Sequence, residues 1–142
     1  MVHSELKAGR RFTPRVRGII MLAAVLGVLS GCGDGDSPTS PSPGTGAVGA
    51  TVTIGSNGAV SPSAVTINVG EVVMFVNSDS RSHDIESNPH PAHTDCPAIN
   101  AVSTLQTGQS RNTGNFTTAR TCGYHDHQNP TSTALQGTIT IR

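Results

Sequence analysis

The stretch RTCGYHDHQNP, Arg120 to Pro130, places Cys122, His125 and His127 within six residues, with Asp126 between the two histidines. A thiolate and imidazoles at such spacing are ligands for a soft or borderline metal ion. The same cysteine has a second use, because Cys96 and Cys122 form an even pair in the body of the chain and paired cysteines in an exported protein are commonly bridged. A bridged Cys122 offers no thiolate, so the two readings exclude each other at that sulfur.

Five of the six histidines lie between His83 and His127. His83 follows one strongly strand-like segment, while Cys122, His125 and His127 precede another, so adjacent strand ends would bring them together. Thiolate plus two imidazoles suits copper, since thiolate is soft enough for Cu(I) and imidazole serves both oxidation states. The second histidine of such a set is His125, at C-x-x-H, or His127, at C-x-x-x-x-H, or both. The segment ESNPHPAHTDCPAIN, Glu86 to Asn100, adds His90, His93 and Cys96, the last two at H-x-x-C spacing. It lines the copper site, forms a second metal site, or makes a proline-stiffened surface loop with solvated histidines. Cys96 is expected to be bonded, buried or metal-bound, because a free exposed thiol is a liability outside the cell. Asp84 and Asp126, each beside a candidate ligand, read as outer partners of ligating histidines or as solvated groups.

Other chemistries find little support. The chain has no C-x-x-C-H for covalent haem, no glycine-rich phosphate loop between a strand and a helix, and no H-E-x-x-H. After Cys32 it carries Arg81, Arg111, Arg120 and Arg142 against eight acidic residues, 4 − 8 = −4 with histidine neutral. Such a balance argues against a nucleic-acid partner.

The elements that must position these residues are strands. A two-residue apolar period runs through Val52 and Ile54, through Val65, Ile67 and Val69, and through Val72, Met74 and Val76 against Val73 and Phe75. NVGE, Asn68 to Glu71, supplies a turn between two of these runs, and the closing GTITIR alternates Thr138 and Thr140 with Ile139 and Ile141. No convincing helix appears. Short strands between turn signals predict an all-β, antiparallel sandwich with an aliphatic core. A domain of that size is marginal on burial alone, so a metal or cross-link would help it.

The chain divides into three parts. Residues 1–32 hold five basic residues, then the apolar run GIIMLAAVLGVLS, too short to cross a bilayer comfortably, and then Cys32. LSGC resembles the lipobox of bacterial lipoproteins, which implies acylation at Cys32 and export. Residues 33–50 are rich in Gly, Ser, Pro and Thr and read as a flexible tether. Residues 51–142 form the domain.

Over nearly all of that domain the sequence resembles the cupredoxins, the small blue copper proteins of the plastocyanin and azurin type. VSPSAVTINVGEVVMFVNSDSRSHDI looks like the family's strand, Val-Gly turn, strand ending in Phe-x-Asn, and first copper histidine, here His83. TGNFTTARTCGYH looks like the segment that delivers the copper cysteine, here Cys122, and the C-x-x-H histidine, here His125. LQGTITIR resembles the closing strand. The resemblance implies a Greek-key sandwich and a mononuclear copper site of His83, Cys122 and His125 or His127. It departs from the family at Leu135, which stands where an axial methionine is usual, leaving Gln136 as the available oxygen ligand. The segment from Cys122 to Leu135 is also longer than the common ligand loop.

Together these features imply a monomeric, lipid-anchored electron carrier that is not an enzyme. It would face the periplasm or the cell exterior and meet redox partner proteins at the membrane. Two alternatives stay open: an open copper site for storage or reaction with a small molecule, and a metal-free sandwich with a Cys96–Cys122 disulfide.

Overall fold

A computed structural model describes residues 42–142. The export segment, Cys32 and half of the tether lie outside the described residues. Nine strands follow in order: β1 Val48–Ile54, β2 Val60–Ser61, β3 Ala64–Ile67, β4 Val72–Asn77, β5 His83–Ser87, β6 Ser103–Leu105, β7 Ser110–Asn112, β8 Arg120–Asp126 and β9 Gln136–Ile141. Among the described residues the helical elements are two 3-10 turns, Ile99–Ala101 and Thr133–Leu135.

Alternation decides which face of each strand is buried. In β3 the side chains of Val65 and Ile67 are buried while Ala64 and Thr66 are exposed, as a two-residue period requires. One sheet has the order β2-β1-β4-β7 and the other β3-β9-β8-β5-β6. Val52, Ile54, Val73 and Phe75 of the first meet Ile85, Tyr124, Ile139 and Ile141 of the second in one apolar core. Phe75 and Tyr124 cross edge to face with ring centroids 5.1 Å apart, a favourable aromatic geometry. The expected all-β sandwich is therefore present, but its sheets are mixed and not antiparallel throughout. β1 runs parallel to β4 and β3 parallel to β9.

The turn Asn68–Glu71 joins β3 to β4 across the two sheets, since those strands belong to different ones. Gly70 sits there at φ +92°, a backbone region that side chains rarely tolerate. The Glu71 carboxylate closes the turn by accepting the Asn68 backbone N–H at 2.7 Å, and that hydrogen bond holds its pKa below the ordinary carboxylate value.

Order begins earlier than composition suggests. Gly44 N–H donates to the Thr113 carbonyl at 2.8 Å, and β1 starts at Val48, inside the segment expected to be tether. Pairing with β4 supplies backbone partners to a stretch whose side chains bury little.

β8 matters most for function. It lies between β9 and β5 in the middle of the five-stranded sheet, so both of its edges are paired. At its C-terminal end His125 stands opposite Glu86 of β5 and Gln136 of β9.

Candidate metal centre

Two short pieces of chain bring four imidazoles together. The first is the end of β8, where His125 is the penultimate residue of the strand and His127 opens the turn that follows. The second is the loop after β5. His93 N–H donates to the Pro89 carbonyl at 2.8 Å, closing a tight turn that carries both His90 and His93. The His93 backbone adopts φ +51°, an uncommon conformation for a residue with a side chain. Asn100 Nδ2 holds it by donating to the His93 carbonyl at 2.9 Å.

One ligand nitrogen from each of His90, His93, His125 and His127 can be chosen so that all lie within 4.8 Å of one another. Opposite nitrogens around a bound ion sit roughly 4 Å apart, given metal–imidazole bonds of about 2.0 Å. Small ring rotations would therefore close the cluster on an ion. The ring centroids of His93 and His127 are 4.8 Å apart, and those of His90 and His127 5.0 Å. His127 Nδ1 lies 3.1 Å from His93 Nε2.

His125 carries the clearest sign of a missing partner. Its Nδ1–H donates to Asn88 Oδ1 at 2.8 Å, which leaves Nε2 with its lone pair. That Nε2 is buried and has no hydrogen-bond partner, a costly state for a polar atom unless something binds there. Asn88 is in turn admitted by a glycine, because a Cβ on Gly123 would collide with Asn88 Nδ2.

The electrostatics favour neutral imidazoles. Burial lowers the His125 pKa below its ordinary 6.5, helped by His93, His90 and His127 and opposed by Asp126. Burial also lowers the His93 pKa, with His127 and His90 adding to it and Asp84 opposing. Neutral imidazole is the form that binds a metal. Glu86 Oε2 lies 4.0 Å from His93 Nδ1. Burial, reinforced by Asp84, pushes the Glu86 carboxyl up to about 7.

The cysteine and the first expected histidine are elsewhere engaged. Cys96 and Cys122 form a disulfide with Cα atoms 5.9 Å apart, so Cys122 is not a thiolate ligand and Cys96 belongs to no second metal site. His83 is buried, and its Nδ1 and Nε2 each lie 3.0 Å from a carboxylate oxygen, of Asp126 and Asp79 respectively. With both nitrogens occupied, His83 is not a ligand of this cluster. The Asp79 carboxyl is held below its ordinary value, chiefly by its hydrogen bond to His83. Burial tends to raise Asp126, but bonds from Asn129, the Asp84 backbone, His83 and the Gln128 backbone outweigh it and hold its pKa low.

Leu135 is packed in the core, and Gln136 donates its Nε2 to the Pro130 carbonyl at 2.8 Å. Neither belongs to the four-histidine group. Asn88 and Asp79 were not singled out by sequence. The available signal was the mirrored spacing H-x-x-C and C-x-x-H, which puts each bridged cysteine three residues from a clustered histidine.

Several solved structures share this fold. A purple cupredoxin from Nitrosopumilus maritimus is 24% identical with a TM-score of 0.52, over 66% of this chain and 99% of that one. The oxidised form of plastocyanin from Dryopteris crassirhizoma is 22% identical with a TM-score of 0.51, over 65% and 99%. The Cu(I) structure of an amicyanin mutant is 19% identical with a TM-score of 0.53, over 74% and 95%. No protein-family model and no curated protein matches the chain. The domain therefore has a cupredoxin-like β-sandwich, and its donor set fits an imidazole-bound ion but not a thiolate-bound one.

Proposed function

We propose that this protein is an exported, lipid-anchored copper protein that holds one ion with His90, His93, His125 and His127. The buried, partnerless Nε2 of His125 within a cluster of four ligand nitrogens carries the reading. Imidazole binds several divalent metals, and among those of the first row Cu(II) is favoured. Likeness to a fold solved in purple, oxidised and Cu(I) forms supports copper over zinc.

The role is capture and presentation of copper at the membrane, not blue-type electron transfer. Copper bound here would lack the short thiolate bond that a His/Cys/His site provides. The exposed His90 forms one wall, a side from which an ion or a small molecule can approach. Asn88 fixes the His125 tautomer, and Glu86 stands next to His93. A second reading, one-electron exchange with a redox partner through the imidazoles, is favoured by the fold likeness.

Copper titration of the full chain against a competing chelator tests the proposal. One ion should bind per chain, and His125→Ala and His93→Ala should each weaken binding by about a hundredfold or more. Binding equal in wild type and both variants would refute it.

A further inference from the structure

The disulfide ties the loop that carries His90 and His93 to β8, the strand that carries His125. Cys96 follows His93 by three residues, and Cys122 precedes His125 by three. Between Pro89 and Asp95, the stretch that carries His90 and His93 has few backbone ties to the body of the domain. Within the loop His93 N–H donates to the Pro89 carbonyl, Asp95 N–H to Asn88 and Ile99 N–H to Cys96, while at its ends Asn88 N–H donates to the Gly123 carbonyl of β8 and Gly114 N–H to the Ala98 carbonyl. Cys96 N–H reaches Ser87 Oγ at 3.3 Å on the preceding strand, and Asp95 forms an exposed ion pair with Arg120, an interaction of small worth. Asn88 adds hydrogen bonds to Gly123 and His125, and the bridge is the covalent link holding this loop against β8.

That bridge can be reached from outside. A cavity of about 180 Å³ opens beside it, lined by Asp95, Cys96, Phe116, Thr118, Arg120 and Cys122. Both cysteines are buried, Cys96 with 5% of its surface exposed and Cys122 with none, so Cys96 is the end of the bridge nearer solvent.

The geometry points to the Cys96–Cys122 disulfide as a thiol-exchange site whose reduction frees the His90–His93 loop and releases the bound ion. The inference rests on the four-histidine reading. The reductant is a dithiol. Its thiolate attacks Cys96 Sγ, the bond to Cys122 Sγ breaks, and the Cys122 sulfur leaves and takes a proton. The second thiol of the reductant then displaces and protonates Cys96, so two electrons and two protons enter the chain and the reductant leaves as a disulfide. The two halves of the cluster are then joined only by noncovalent contacts, the hydrogen bonds of Asn88 to Gly123 and His125 among them, and the preorganisation that favours binding is weakened.

Two measurements on the full chain decide it. In the first, Cu(II) affinity is compared between the oxidised protein and the double variant Cys96→Ala, Cys122→Ala, which leaves no thiol in residues 42–142 to reduce or bind copper. Affinity should fall about tenfold or more, as when a group supporting a ligand is removed. In the second, hydrogen exchange of the metal-free wild type is followed before and after reduction with a phosphine. Exchange should quicken in residues 89–97 and stay slow in β8 and β9. Unchanged copper affinity in a folded variant, or loss of protection in all strands together, overturns the inference. The exchange measurement decides the matter if the variant does not fold. An oxidised chain that binds no copper sinks the four-histidine reading by itself, while exchange still reports whether the bridge holds the loop.

Discussion

At the scale of single residues, the arrangement separates two kinds of histidine that look alike in the sequence. His125 has one nitrogen on Asn88 and one buried without a partner, whereas His83 has both nitrogens on carboxylates. Replacing His83 with Leu should destabilise the domain by about 1–3 kcal/mol, because buried carboxylate oxygens of Asp126 lose a donor. Copper affinity should hardly change, which chemical denaturation and a copper titration on one sample would show. Titration of the cluster gives a prediction of opposite character. His93 and His125 have pKa values depressed below 6.5, so the unfolded chain binds more protons than the folded one in the window just below that value. Stability is then full above pH 6.5 and is lost as pH falls through the depressed pKa values. Copper binding should weaken over the same range as protons compete for the nitrogens. Glu86, pushed up to about 7, titrates with the opposite sign in this window, so denaturation midpoints of the metal-free Glu86→Gln variant between pH 7 and pH 5 would reveal the first effect. A midpoint that rises on acidification would contradict this assignment.

Among elements, β8 and the loop after β5 supply the site, and Gly123 governs how they meet. Gly123→Ala would drive a Cβ into the Asn88 side chain and push the carboxamide off His125. Copper affinity should drop roughly tenfold, in line with loss of a group that orients a metal-ligating histidine, while Asn88→Asp, which keeps an acceptor at that position, should retain most of it. Affinity measured in parallel for the two variants separates this from a general packing defect. Much of the strand framework was legible, because alternation in AVTI and VVMFVN matches the buried faces of β3 and β4. The parallel pairings were not, since a two-residue period is the same in either strand direction. The site was half legible. C-x-x-H identified His125 and the cysteine count exposed the alternative bridge, but the resemblance assigned Cys122 to the metal. What reversed that assignment is three-dimensional: the loop folds back so that Cys96 reaches Cys122. His90 and His93 come with it, though as loop residues they carry no periodic signal of a shared face.

For the molecule as a whole, a compact sandwich follows a segment whose sequence reads as an export signal and a tether. Residues 1–41 lie outside the described structure, so the anchor stands on LSGC alone. Expressed in a bacterium, the full chain should partition with membranes, and Cys32→Ser should move it to the soluble fraction without altering copper affinity. Membrane fractionation of the two proteins is sufficient; equal partitioning would remove the lipid anchor from the account.

Electron paramagnetic resonance of the Cu(II)-loaded full chain, recorded with its visible absorption, tests the central claim most directly. Coordination by His90, His93, His125 and His127 predicts hyperfine structure from several imidazole nitrogens, no intense thiolate-to-copper band, and an intact Cys96–Cys122 disulfide by mass spectrometry. An intense charge-transfer band with narrow copper hyperfine splitting, abolished by Cys122→Ser, would contradict it and return the cysteine to the metal.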